Sequence, residues 1–209
     1  MRTSPAYTMS NAIVQCFCMF AISCASIVAL LRTFDDPRRD VDEPSFFVLW
    51  SMSAAYFIGD VLYLLYLLLV VDPGTGRHPN TDNRALVLAH HSVALAALGF
   101  MFAFAEFRIF MVVTGLQEIS TFFMFFKRIE SMRPWKRETE LAFLFTWVLF
   151  RALLSPFLVV WATLYLVHDA RVVSAVHLSF HTFFLACNVY WSIQIIQSRL
   201  QPRREGVEV

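Results

Sequence analysis

Charge is scarce in this chain of 209 residues, where only 16% are Asp, Glu, Lys or Arg. A soluble domain carries about 25%. A water-facing surface of ordinary size could not be covered, which argues against a very hydrophobic soluble α-domain. An excess of one sign is lacking as well. The formal net charge of +1 gives no bulk attraction to nucleic acid. Only four cysteines occur (Cys16, Cys18, Cys24 and Cys187), all within apolar runs. A secreted disulfide framework or a metal site would place them in polar loops or at ligand spacings, so they read as small reduced hydrophobes. The chain also lacks a Gly-rich phosphate loop, a G-x-S-x-G elbow, a Ser/His/Asp order, an internal repeat and any low-complexity tract. The first apolar run has only Arg2 on its flank and no small-residue cleavage site after it. It therefore reads as a true span and not a signal peptide.

Apolar length is what the sequence has in abundance. Hydrophobic residues make up 58% and phenylalanines number 22. Rings in such numbers suit helices that face lipid. Six stretches reach the roughly 20 residues that a helix needs to cross the hydrocarbon core. They are Ala12–Leu31, Phe46–Val71, Ala85–Ala105, Phe107–Phe126, Leu141–Val167 and Val172–Ile196. Turn-forming or charged segments separate them: Asp35-Asp36-Pro37, Asp72-Pro73-Gly74, Met132-Arg133-Pro134 and His168-Asp169. Between the third and fourth stand only Glu106, Phe107 and Arg108, which predicts a tight hairpin or a strong tilt. The expected fold is an all-α polytopic membrane protein, a bundle of about six transmembrane helices around a central polar-floored cavity. One transmembrane domain (12–198) lies between a cytoplasmic N-terminal segment (1–11) and a cytoplasmic tail (199–209). The orientation follows from Arg2, Arg77, Arg84, Lys127, Arg128, Arg133, Lys136, Arg137, Arg199, Arg203 and Arg204, which collect on the side of the termini.

An ionisable group at the bilayer centre costs at least about 2.5–3.5 kcal/mol on insertion scales, so each needs a reason to be there. The spans hold Asp60, His90, His91, Glu118, Arg151, His177 and His181, with Asn188 as the notable amide. Asp60, the adjacent histidines, Glu118, Arg151 and Asn188 fall at similar depths, from the middle of the span toward the cytoplasmic side. One reading is a buried network in which Asp60 or Glu118 pairs with Arg151. The other is a cavity in which a lipid headgroup or acyl donor docks or reacts. Adjacent helical residues point about 100° apart, so one of His90 and His91 faces such a cavity while its neighbour packs elsewhere. His177 and His181, four apart, share a face on the lumenal side. Without an H-E-x-x-H arrangement they read as a buried hydrogen-bonded pair, and no metal site is expected. Pro156 predicts a kink close to Arg151.

The same residues carry a family likeness. Tyr56-Phe57-Ile58-Gly59-Asp60, His90-His91, Gln117-Glu118-Ile119-Ser120-Thr121, Phe150-Arg151 and Asn188-Val189-Tyr190-Trp191 follow in an order and spacing that resembles the TLC-domain family. That family takes in ceramide synthases, translocating-chain-associating membrane proteins and the ceroid-lipofuscinosis endoplasmic reticulum protein. The likeness spans about residues 45–200. It implies a helical bundle in the endoplasmic reticulum membrane that acts in lipid metabolism or lipid homeostasis, with membrane lipids as partners and self-association into a homo-oligomer left open. In the ceramide synthase branch the histidine pair takes part in acyl transfer from acyl-CoA. That branch carries a further His-Asp-x-x-Asp element where this chain has Leu116-Gln117-Glu118-Ile119-Ser120. The resemblance therefore points to the smaller TLC-domain-containing proteins, although Phe122-Phe123 stand where those have Pro-Phe.

The leading expectation is a lipid-handling protein with Glu118, Arg151, Asn188 and Trp191 as lipid-binding residues. In the acyltransferase alternative acyl-CoA is the co-substrate, His90 or His91 is base or nucleophile and Asp60 orients it. A cargo receptor or protein-handling factor is the rival from another class. The tail Gln201–Val209 lacks a dilysine or Lys-Asp-Glu-Leu-type signal for it.

Overall fold

Inside a bilayer every backbone N–H and C=O must find its partner within the spanning segment, which favours helices. The computed structural model describes residues 5–35, 43–71, 84–129, 134–169 and 171–200, and among these no strand occurs. The helices are α1 (Pro5–Asp35), α2 (Glu43–Tyr66), α3 (Arg84–Ala103), α4 (Arg108–Gly115), α5 (Glu118–Phe126), α6 (Lys136–Trp147), α7 (Leu154–His168) and α8 (Val172–Leu200). Six helical segments are long and apolar enough to cross a membrane: Ala12–Phe34, Glu43–Val70, Ala85–Ala103, Ala105–Phe126, Lys136–His168 and Val172–Leu200. The fifth begins at Lys136, earlier than the hydropathy of Leu141–Val167 predicts. Its charged first turns stay helical, with Glu138 in the first turn where a carboxylate favours the helix N-terminus.

A tight corner joins the third and fourth spans. Phe104 leaves the helix with an extended backbone (φ −121°, ψ 97°), and a single 3₁₀ turn, Ala105–Phe107, leads into α4. Phe107 and Phe110 are fully buried and anchor the corner. Arg108 lies 4.6 Å over the Phe46 ring and 3.7 Å from the Glu43 carboxylate at the start of α2.

Three spans depart from regular α-helix. The second ends in a π-helical turn, Leu67–Val71, and the fifth carries one at Val148–Leu153. Pro156 explains the latter, because it has no N–H to donate and its ring crowds the carbonyl four residues back. The fourth span tightens between α4 and α5. There the amides of Leu116, Gln117, Ile119 and Ser120 bond carbonyls three residues back.

The chain divides into two compact units, Met1–Phe150 and Arg151–Val209. In the first, α1 packs against α2, α4 and α5, α2 against α3, and α5 against α6. The buried stripe of α1 (Gln15, Met19, Ile22, Ser26, Ala29, Thr33) recurs at three and four residues and is rich in small side chains. Such a stripe lets backbones approach closely. At Gly115 an added Cβ would collide with the Ser26 hydroxyl. Buried hydroxyls with no water in reach bond back to their own helix, Ser23 to the Met19 carbonyl and Thr33 to that of Ala29.

In the second unit α7 packs against α8. The buried positions Arg151, Ser155, Leu158 and Ala162 make one stripe, and Ser174, His177, His181, Phe184, Cys187 and Asn188 make the facing one. All four cysteines are free thiols, Cys16 and Cys187 buried and Cys24 exposed. This agrees with reading them as reduced hydrophobes. Arg2, Arg77, Arg133, Arg203 and Arg204, on which much of the expected orientation rests, lie outside the described residues, as does most of the two terminal segments.

Candidate functional site

The first unit gathers a polar cluster from α1, α2 and α3. Asp60 is buried on α2. One of its carboxylate oxygens accepts a 2.9 Å hydrogen bond from Gln15 Nε2 of α1. The Gln15 carbonyl oxygen accepts another, also 2.9 Å, from the Tyr56 hydroxyl one turn before Asp60. The second carboxylate oxygen stands 2.6 Å from His91 Nδ1 of α3. That approach lies off the line of a hydrogen bond and is a close polar contact. The Tyr56 and Phe57 rings flank the His91 ring at centroid distances of 6.0 and 5.2 Å. Helical spacing explains the grouping. Tyr56 and Asp60 are four apart and share a face of α2.

His91 thus meets Asp60, while the adjacent His90 is more buried and its ring centroid lies 5.5 Å from that of His91. A carboxylate against Nδ1 holds the imidazole ring in place, and a histidine positioned in this way can serve as a base. With its side chain 13% exposed, His91 is not sealed from its surroundings.

The second unit holds its own cluster. Arg151, buried within the π-helical turn, donates from Nη1 to Asn188 Oδ1 at 3.0 Å. Asn188 Nδ2 in turn donates to Ser155 Oγ at 2.7 Å. The amide therefore bridges two residues four apart on the fifth span and fixes the register of α7 against α8. His177 and His181 lie further along the same stripe with their Nε2 atoms 3.1 Å apart, one ring donating to the other. Seven residues separate Asn188 from His181 and Ser155 from Ala162. Helical rise therefore brings the small Ala162 to about the level of the histidine pair. Both imidazoles are buried, and the pair is hydrogen-bonded as its spacing predicts. Among the described residues no group of three or more His, Cys, Asp or Glu could hold a metal ion.

Two further expected residues are Glu118 and Trp191. Glu118 is half-buried in the first turn of α5. Trp191 is half-buried on α8, three residues beyond Asn188. Within the first unit Asp60 meets Gln15 and His91, and within the second Arg151 donates to Asn188. Sequence reasoning missed Gln15 and Ser155. Gln15 was legible as a lone amide inside the first apolar run, of the same kind as Asn188 in the sixth. Ser155 shares a helix face with Arg151, one turn away.

Fold and clusters together define a multi-pass helical membrane protein that keeps hydrogen-bonded polar groups inside its spans. The TLC domain profile matches residues 8–197, and the chain belongs to the TLC-domain family. Neither a curated protein nor a solved structure gives a match to it.

Proposed function

We propose that this protein binds or processes membrane lipid at the Asp60–His91 cluster, as a lipid-homeostasis protein of the endoplasmic reticulum membrane with both termini in the cytoplasm. The observation that carries the reading is the carboxylate–imidazole contact inside an apolar segment, with Gln15 and Tyr56 completing it. Groups this costly in hydrocarbon mark functional sites by default. Family membership supports a lipid-related role. In this reading a lipid headgroup meets His91, and the exposed apolar flanks of the helices accommodate its chains. In the second unit, Arg151 and Asn188 offer donors of the kind that hold an anionic oxygen, and Glu118 and Trp191 stay as candidate lipid contacts.

The Asp60–His91 contact also favours a second reading, acyl transfer. His91 would take a proton from the N–H or O–H of an acceptor lipid as that atom attacks the thioester carbonyl of acyl-CoA. The coenzyme A thiolate would leave and receive the proton from the imidazolium, while Asp60 stabilises the transient charge.

Purification into nanodiscs with mass spectrometry of retained lipid tests the first reading. A retained lipid class that falls several-fold in Asp60→Asn and His91→Ala supports it. Equal retention in all three proteins removes it. Acyl-CoA supplied with amine and lysolipid acceptors tests the second, which requires product from the wild type and none from His91→Ala. Recovery of client proteins with no selective lipid would favour a protein-handling role.

A further inference from the structure

Away from the Asp60–His91 cluster, the ends of α5 and α6 enclose an open groove of about 380 Å³, lined by Phe123, Phe126, Trp135, Glu138, Thr139 and Ala142. That volume falls in the range of small-ligand sites, about 300–1,000 Å³. By length and composition the fourth span ends at Phe126 and the fifth begins at Lys136. The groove therefore crosses from the edge of the hydrocarbon layer to headgroup level. Its deeper wall, Phe123, Phe126 and Ala142, is apolar. Trp135, 61% exposed at its mouth, is the side chain that membrane interfaces favour.

Next to these lining residues in sequence are four cations, of which Arg128, Lys136 and Arg137 are exposed and Lys127 lies with its Nζ 4.3 Å over the Phe143 ring. From 127 to 140 the sequence has five basic residues, Arg133 included, against Glu130, Glu138 and Glu140, so the positive sign prevails. Each basic residue near an anionic leaflet is worth about 1 kcal/mol of attraction.

We infer that the groove between α5 and α6 is a docking site for one anionic phospholipid, its acyl chain against Phe123, Phe126 and Ala142 and its phosphate among Lys127, Arg128, Lys136 and Arg137. The apolar floor and the basic rim lie in the order in which a leaflet lipid presents chain and headgroup. The site is independent of the Asp60–His91 reading, because it needs neither residue.

Phosphatidylglycerol is the probe, since it is anionic and has no ammonium for Glu138 to attract. The full chain is titrated in mixed micelles with brominated phosphatidylglycerol or brominated phosphatidylcholine, and the quenching assigned to Trp135 is taken as the difference from Trp135→Phe. A several-fold preference for phosphatidylglycerol, reduced by Lys136→Gln with Arg137→Gln and raised by Glu138→Gln, is expected. Ala142→Phe, which fills the groove and leaves every charge, should abolish the preference with helical content unchanged. Its circular dichroism distinguishes a filled groove from a misfolded chain, and the exposed charge variants test the site even if Ala142→Phe does not fold. Equal quenching by the two lipids overturns the inference, as does a preference that survives both the charge variants and the folded Ala142→Phe. Loss of a co-purifying protein in the charge variants, with no lipid preference in the wild type, would also overturn it and assign the groove to a protein partner.

Discussion

Replacing Asp60 by alanine withdraws two partners at once from the interior of the first unit. Gln15 loses the acceptor 2.9 Å from its Nε2, and His91 loses the carboxylate 2.6 Å from its Nδ1. Side-chain hydrogen bonds inside membrane proteins contribute on average about 0.6 and at most about 1.7 kcal/mol each. Removing one partner also leaves the other buried and unsatisfied. The expected loss is therefore about 1–3 kcal/mol. Relief from carrying a carboxylate in hydrocarbon does not cancel it, because the unfolded chain in the micelle carries the same group. Asp60→Asn keeps an oxygen for Gln15 and loses only the charge opposite His91, so it should cost less, about 1 kcal/mol. Reversible unfolding in mixed micelles, followed by tryptophan fluorescence, gives these values. A cycle of Asp60→Ala with Gln15→Leu isolates the Gln15–Asp60 bond. If Asp60→Ala is as stable as the wild type, and the cycle is additive within about 0.5 kcal/mol, the cluster does not hold the three helices together and the reasoning fails.

Gly115→Ala should lower the unfolding temperature, because its Cβ meets Ser26, and overpacking of this kind costs about 1–3 kcal/mol. Ser26→Ala removes the hydroxyl and should restore part of the loss, since the two Cβ atoms would still stand only 3.2 Å apart. Asn188→Ala should cost about 1–3 kcal/mol in the same assay by removing the bonds it makes to Arg151 and Ser155. His177→Leu and His181→Leu should each destabilise by leaving one buried imidazole without its partner. The double variant should cost less than the sum of the two, because no orphan remains. Pro156→Ala restores an amide donor and should relax the π-helical turn at Val148–Leu153. Amide hydrogen exchange across that turn should then slow.

The spans were legible in the sequence because a bilayer imposes one dominant requirement, a helix of sufficient apolar length. Every one of the six expected stretches overlaps an observed span, and the three residues Glu106-Phe107-Arg108 form a tight corner. Helical spacing also announced the His177–His181 pair. What could not be read was which polar group meets which. Depth along a span is given by counting residues, but rotation about the helix axis is set by packing. The π-helical turn at Val148–Leu153 and the 3₁₀ turns around Gln117 change that rotation locally. Gln15 was overlooked because an uncharged amide scarcely disturbs hydropathy, although it links α1 to both Tyr56 and Asp60. The pairing of Arg151 with Asn188 was hidden for the related reason that charge complementarity directs attention to acids.

Photo-crosslinking with a clickable lipid bearing a diazirine in its headgroup, followed by peptide mapping, tests the lipid reading most directly. Adducts on the segments around Tyr56–Asp60 and His90–His91, lost in Asp60→Asn and His91→Ala while the chain stays folded, are the expected result. Adducts confined to the outward faces of the helices, unchanged by either substitution, would contradict the assignment of lipid to the Asp60–His91 cluster and leave it a purely structural tie between helices.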